Sequence, residues 1–328
     1  MVLKSKAQHT IGIDLGGTKI LAAVVDSRGA VVATGKRATK AELGPEGVIG
    51  RITKTVDDAL ASVGMTKEQV AAIGIGAPGP VDAARGVVLS ITNMPGWSNV
   101  PIASILRKWK DVPVALTNDV RAACIGELML GAGKGLMNFA AVFVGTGIGG
   151  GIVINGQIYE GARGSAGEIG HMITMADGPY AEGAGIRGGI EALASRSAIE
   201  RDLRAGLAAG TKSILPELTA EKDGALTSSV LAAAVHKGDA LTIKVLQRAA
   251  YYLGLHAASL VNCLDPQALI YGGGVIEALG EWMLGQIRET ARAHFINKTK
   301  MTQVKIVEAK LADKAGVVGA ALYARQGL

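Results

Sequence analysis

Two stretches of this chain share one layout, and that repetition constrains the fold more than any other feature. Residues 10–37 read as three strands, TIGID, KILAAVVD and AVVATGKR, with GG before the second and the turn DSRG before the third. Residues 139–161 follow the same order: FAAVFVG, the glycine loop GTGIGG, GIVI, the turn NGQ and the start IYEG. Glycine weakens a strand interior, because it adds backbone entropy and packs nothing. It belongs there where the backbone turns sharply or where something approaches closely. The stretch VFVGTGIGGGIVINGQ, residues 142–157, carries six glycines among β-branched residues. A strand–glycine–strand–turn–strand order used twice in one chain implies two related α/β units, each with its own sheet.

The rest of the chain supplies the covering helices. Residues 46–63 and PIASILRKW have helical spacing, VAAIGIGAP and VPVALTND read as strands, and VRAACIGELML as a helix. Residues 188–264 are mostly helical, ending in a long stretch from Ala240 to Cys263. DPQALIYGGGV and VKIVEA read as strands, and AGVVGAALYARQ as a final helix. The expected division is a small N-terminal lobe, 1–119, and a larger lobe, 120–314, with the helix at about 315–328 returning to the first.

Composition agrees with this layering. Of 328 residues 49% are hydrophobic and only 4% aromatic, so the cores should be built from Val, Ile, Leu and Ala, as suits parallel strands under helices. The formal charge is +6, but Lys and Arg are scattered outside KSK and GKRATK, which reads as a mildly basic soluble protein with no nucleic-acid partner. The two cysteines, Cys124 and Cys263, lie in helix-like apolar segments and are expected to be buried thiols. The N-terminus lacks an apolar targeting core, and the most apolar stretch is too short for a membrane span; the expected location is the cytoplasm, with no membrane partner.

Glycine loops beside strands can offer several backbone N–H groups to one anion. GTGIGG matches the dinucleotide fingerprint only loosely, and a strand rather than a helix follows it, so hydride transfer loses its structural basis. No GxxxxGK[ST] loop is present. A pair of glycine hairpins remains, able to hold a polyphosphate. In DLGGTK, Gly16 and Gly17 permit the bend, Thr18 offers a hydroxyl and an N–H, Lys19 adds charge, and Asp14 at the strand end can hold Mg2+ through water. Each also has a plain reading: a β-turn, a solvated strand lysine and a turn-forming aspartate. The second loop, with Gly145, Thr146, Gly147 and Gly149, and the third cluster with Gly273 and Gly274, shift the balance toward nucleotide binding. Asp119 closes the strand VPVALTND just before a helix, where α/β sites collect, although Asn118 or Asp119 can equally be an ordinary helix cap.

DLGGTK, GAPGPV, TNMPGW, TND, GTGIGGG and GARGSAGEIGH occur in this order and resemble, over essentially the whole chain, the ROK family of sugar kinases and sugar-responsive repressors. The resemblance implies the duplicated actin-like ATPase (ribonuclease H-like) α/β fold, two lobes with a central cleft, ATP with Mg2+, and a homodimer. It makes Asp119 the base that takes the proton of the attacking hydroxyl, with Asn118 binding the sugar beside it. Glu168, His171 and Glu191 match sugar-reaching residues, and Asn93 and Gly79 match positions near the sugar.

One departure stands out. Many members carry CxCGxxGC before the last of these carboxylates and bind structural zinc with the His. Here the segment reads EGAGIRGGIE, with Glu182, Ala184 and Gly189 at the cysteine positions, so no zinc site is expected. The reading is therefore an ATP-dependent hexose kinase making glucose 6-phosphate. Fructose, N-acetylmannosamine or N-acetylglucosamine are alternative acceptors, and polyphosphate is a lesser donor. A repressor is disfavoured because the first strand starts near residue 10. A non-catalytic sugar-binding protein is disfavoured because DLGGTK and TND are intact.

Overall fold

Strand β1 (His9–Leu15) pairs antiparallel with β2 (Lys19–Val25), which pairs antiparallel with β3 (Val31–Ala38). On its other side β1 pairs parallel with β4 (Val70–Ala77). The edge strand β3 alternates exposed and less exposed residues, whereas β4 is buried almost throughout, as a strand covered on both faces must be. Helix α1 (Gly44–Ala61) lies between β3 and β4 in sequence and buries one apolar stripe. Three short strands follow, β5 (Val81–Asp82), β6 (Val87–Ser90) and β7 (Ser98–Val100), then helix α2 (Ile102–Trp109). Strand β8 (Val114–Asn118) joins β4 in parallel and leads straight into α3 (Asp119–Leu130).

The second set repeats the first. It comprises β9 (Phe139–Val144), β10 (Ile148–Ile154) and β11 (Gln157–Ile158). The helices α4 (Ile190–Ala194), α5 (Arg196–Ala208), α6 (Leu215–Thr219), α7 (Ser228–His236) and α8 (Ala240–Leu264) come next. Strand β12 (Ala268–Gly272), α9 (Gly274–Leu279), α10 (Glu281–Ala293), β13 (Lys305–Glu308) and α11 (Ala315–Arg325) complete the chain.

This computed structural model describes residues 9–181, 185–220 and 224–326. Its sheet orders are β3-β2-β1-β4-β8 and β11-β10-β9-β12-β13. Position by position the two agree, including the senses: two antiparallel pairings followed by two parallel ones. That doubled order is the actin-like ATPase fold. Each sheet has its own apolar cluster, and Val, Ile, Leu and Ala make up most of both.

The chain divides into Met1–Gly135 with Glu160–Ala166 and Asp313–Leu328, and Leu136–Tyr159 with Gly167–Ala312. This differs from a division after residue 119, because α3 packs on α11 and on the first sheet. Glycine makes that packing possible. Gly12 and Gly74 are cross-strand partners on β1 and β4. A Cβ on either would lie 1.8 Å from a carbonyl oxygen of α11, Val317 for the first and Ala320 for the second. A Cβ on Gly319 would lie 1.7 Å from the Ala122 oxygen of α3.

Three sequence expectations change. Ile148, Gly149 and Gly150 are not loop but part of β10, and only residues 145–147 make the turn. Cys124 is buried, but Cys263 is exposed, because it falls off the α8 stripe that buries Leu253, Ala257, Leu260 and Val261. The small β5-β6-β7 sheet was not foreseen, since strands of two to four residues carry no readable alternation. Trp97 sits at its end, 3% exposed, as a plug in the first core.

Candidate active site

In the first unit, Asp14 pairs across β1–β4 with Gly76, and Gly76 pairs across β4–β8 with Thr117. A Cβ at Gly76 would lie 3.1 Å from Asp119 Cα and 3.8 Å from its Cβ. The bare backbone of Gly76 thus lies between two aspartates at the C-terminal end of parallel strands. Burial first, and then the charge of Asp119, pushes the Asp14 carboxyl up to about 6, against the opposing pull of Lys19. A Cβ on Gly316, at the start of α11, would touch the Asp14 carboxylate at 3.3 Å.

Asn118 takes the helix cap. Its Oδ1 accepts from Val120 N at 3.0 Å and Arg121 N at 3.1 Å, and Asp119, the first helical residue, shares the Val120 amide through its own Oδ1 at 2.8 Å. The Asn118 amide also donates to the Gly79 carbonyl at 3.3 Å, which joins two of the expected sugar residues. Gly79 has φ +79°, and a Cβ there would lie 2.4 Å from the Ser90 oxygen, so only glycine fits. Asn93 is exposed in the turn after β6.

The first glycine turn is braced from outside. Gly16 N donates to Lys19 O at 2.9 Å, Thr39 Oγ1 donates to Gly16 O at 2.6 Å, and Thr39 N donates to Thr18 O at 2.9 Å. Gly17, Thr18 and Lys19 stay exposed at its tip.

The second turn, in the second unit, has a matching brace. Gly145 N donates to Gly147 O at 2.9 Å, while the first amides of α5 reach back, Arg196 N to Gly145 O at 2.9 Å and Ser197 N to Thr146 O at 3.3 Å. The Arg196 guanidinium donates to Thr146 Oγ1 at 2.8 Å. Gly273, with φ +86°, lies against Val144, where a Cβ would meet its oxygen at 2.7 Å, and Gly274 begins α9. Glu191 Oε2 accepts from Ile148 N at 2.8 Å, and a Cβ on Gly147 would lie 2.2 Å from that oxygen. The glycines of β10 explain themselves here. A Cβ on Gly150 would lie 2.1 Å from Ile169 Cδ1, and one on Gly170 would lie 1.8 Å from the Ile148 oxygen. GEIGH therefore lies directly on the strand, with Glu168 exposed at the cap position of a single 3-10 turn, Ile169–His171, and His171 half-buried at its end.

The first unit thus gathers Asp14, Gly79, Asn118 and Asp119, and the second gathers Gly145–Gly147, Gly273, Glu191 and, through Gly150, the Glu168–His171 turn. Sequence reasoning missed three supports. His256, 1% exposed on α8, donates from Nε2 to the Ile169 carbonyl at 3.1 Å. Burial lowers its pKa to about 4, so it is neutral, and among the described residues its Nδ1 has no partner. Arg121 and Arg196 bind backbone and side-chain oxygens distant in sequence, and neither motif nor periodicity could reveal those partners.

The segment after His171 is held by its own backbone. Thr174 N and Met175 N both donate to Gly188 O, Gly188 N to Pro179 O, and Ile190 N to Met172 O. Arg187 adds bonds to the carbonyls of Gly178 at 2.9 Å and Asp177 at 3.1 Å. Of the positions that the family resemblance matched to zinc-binding cysteines, Glu182 and Ala184 lie outside the described residues, and Gly189 bridges Ile173 at the base of the loop. Among the described residues no group of three or more His, Cys, Asp or Glu could hold a metal unaided. Mg2+ asks for less: one or two carboxylates, waters and a substrate phosphate. A carboxyl whose ionisation burial and a second carboxylate oppose fits such a cation, so Asp14 suits that role. No helix among the described residues is long and apolar enough to cross a membrane.

Comparison with known proteins adds the rest. The family model described as "ROK family" matches residues 10–327. The glucokinase of Thermotoga maritima is 35% identical over 95% of this chain and 95% of its own length, and that of Halalkalibacterium halodurans is 33% identical over 96% and 94%. An N-acetylmannosamine kinase of Yersinia pseudotuberculosis is 30% identical over 97% and 99%. Among solved structures, a ROK family glucokinase from Streptomyces griseus in complex with glucose and AMPPNP superposes with a TM-score of 0.85 at 36% identity, covering 97% of this chain and 100% of that one. Through the family match and this near-full-length identity, the chain belongs to the ROK family.

Proposed function

We propose that the protein transfers the terminal phosphoryl group of ATP to the 6-hydroxyl of an aldohexose, glucose foremost, with Asp119 as general base. The observation that carries this reading is the pair Asp14 and Asp119 on either side of Gly76, at the C-terminal end of the parallel strands. Similarity to glucokinases supports the acceptor, and the AMPPNP named with the Streptomyces griseus structure supports the donor.

In the mechanism, Asp119 accepts the hydroxyl proton as the sugar oxygen attacks the γ-phosphorus; the bond from phosphorus to the β–γ bridging oxygen breaks and ADP leaves. Asn118, Gly79, Asn93, Glu168, His171 and Glu191 are the residues assigned to orient the sugar. The turns at Gly16–Lys19 and Gly145–Gly147, with Gly149, Gly273 and Gly274, supply backbone N–H groups to the phosphate tail. Mg2+ held through Asp14 would neutralise charge on that tail. The brace on Gly16 and the Ile148–Glu191 bond each hold a glycine turn in shape within its own unit.

A second reading replaces glucose with N-acetylmannosamine, favoured by the Yersinia relative. We further assign a cytoplasmic homodimer to this activity. A panel of glucose, mannose, fructose, N-acetylmannosamine and N-acetylglucosamine, assayed with ATP and Mg2+ by ADP release, tests the reading. Turnover highest with glucose is expected; release with no sugar would overturn it.

A further inference from the structure

The segment Glu160–Ala166 interrupts the second unit and belongs to the first. No side chain in it joins a core. Ala162, Arg163 and Ser165 are exposed, and Gly161 and Gly164 take left-handed backbone at φ +74° and +71°. Apolar burial therefore does not hold this strap, and hydrogen bonds must.

Its base closes through Ala166 N to Glu160 O at 3.0 Å, and the Tyr323 hydroxyl reaches Glu160 Oε1 at 3.4 Å. The central fastening is Arg121. It is 5% exposed, and its Nη2 donates to the carbonyls of Gly164 at 2.8 Å and Ala166 at 3.1 Å. A guanidinium buried to this degree needs acceptors fixed around it, because a desolvated charge without partners is costly. Here the backbone carbonyls of Gly164 and Ala166 provide two of them, which ties the strap to α3.

Both ends of this bond lead to site residues. Arg121 N is bonded to the Asn118 side chain, and Asp119 begins the same helical turn. Ala166 is followed at once by Gly167 and Glu168 and then by the turn ending at His171.

We propose that Arg121 is a positioning residue for the acceptor sugar: it ties the turn carrying Asn118 and Asp119 to the strap that leads into Glu168 and His171. This rests on the kinase reading above. Arg121 touches no substrate; it acts by fixing where two groups of sugar residues begin.

The test uses the full chain and two variants, Arg121→Met, which is close in length but uncharged, and Arg121→Lys, which keeps a cation and can still bond one carbonyl. Steady-state kinetics are measured with sugar and ATP varied separately, alongside hydrogen exchange of residues 160–171. The proposal predicts a sugar KM raised about tenfold or more in Arg121→Met, the size of one lost bond to a charged group. ATP KM should stay within about twofold, Arg121→Lys should be intermediate, and amides 160–171 should exchange faster. Sugar KM within about twofold of wild type with unchanged exchange would overturn it. So would sugar and ATP KM rising in parallel, the mark of general destabilisation. If Arg121→Met does not fold, Arg121→Lys carries the same comparisons. A wild-type chain inactive on every sugar would instead refute the kinase reading, and with it the assignment of this tether to a sugar.

Discussion

Asp14 and Asp119 flank Gly76 at one end of the first sheet, near enough that the charge of Asp119 raises the pKa of Asp14. Two carboxyls in this relation cost folding energy and make sense where a cation and a reacting hydroxyl are to be held.

The direction of that cost can be measured. The folded carboxyl of Asp14 titrates near 6 against 3.8 for the unfolded chain, so its favourable contribution is complete below pH 3.8 and is lost as pH rises through 6. Asp14→Asn should therefore raise stability at pH 7.5, without Mg2+, by on the order of 2 kcal/mol, a gain that fades toward pH 4. The same substitution should weaken Mg2+-dependent turnover. Thermal unfolding at both pH values checks the first part, and a loss of stability at pH 7.5 would count against it.

His256 has the opposite profile. Its folded pKa of about 4 lies below its ordinary 6.5, so stability is complete above pH 6.5 and is lost as pH falls toward 4. The loss should reach on the order of 3 kcal/mol. His256→Gln, which can still donate to Ile169, should flatten this acid slope in denaturant unfolding. An unchanged slope would show that other groups govern acid sensitivity.

Glu191 and Gly147 form a linked pair. Gly147→Ala would set a methyl against Glu191 Oε2 and drive the carboxylate from the Ile148 amide. It should reproduce the kinetic defect of Glu191→Ala, about tenfold or more in kcat/KM, and the double variant should be little worse than either. Additive defects in the double-mutant cycle would mean that the two act separately.

Packing of α11 depends on missing side chains. Gly74→Ala would drive a methyl into the Ala320 carbonyl and should cost at least about 1–3 kcal/mol. Gly50→Ala, in α1 with open space around it, should stabilise by about 0.4–1 kcal/mol. Melting temperatures moving in opposite directions would agree with this; a neutral Gly74→Ala would not.

Much of this was legible because the signals are local. The strands around DLGGTK and GTGIGG announce themselves by β-branched runs and turn residues, and their repetition carries the doubled topology. Residue type alone could not tell which of Asn118 and Asp119 is the cap, because capping and catalysis favour the same residue types at a strand end; both accept from Val120 N, and the bond from Arg121 N marks Asn118 as the cap. Gly150 resembled a loop residue because strand and loop glycines look alike until the neighbour that needs the space, Ile169, is known. Arg121, Arg196 and His256 were invisible for a related reason. Their partners are backbone or hydroxyl oxygens of residues 43, 50 and 87 positions away, and a carbonyl leaves no mark in composition or periodicity.

The most direct test of the central claim is the turnover of Asp119→Ala with ATP, Mg2+ and the preferred sugar, measured beside sugar binding by calorimetry. The account predicts kcat reduced about a hundredfold or more, the usual scale for a general base, with sugar affinity changed only a few-fold. A kcat near that of the wild type would contradict it.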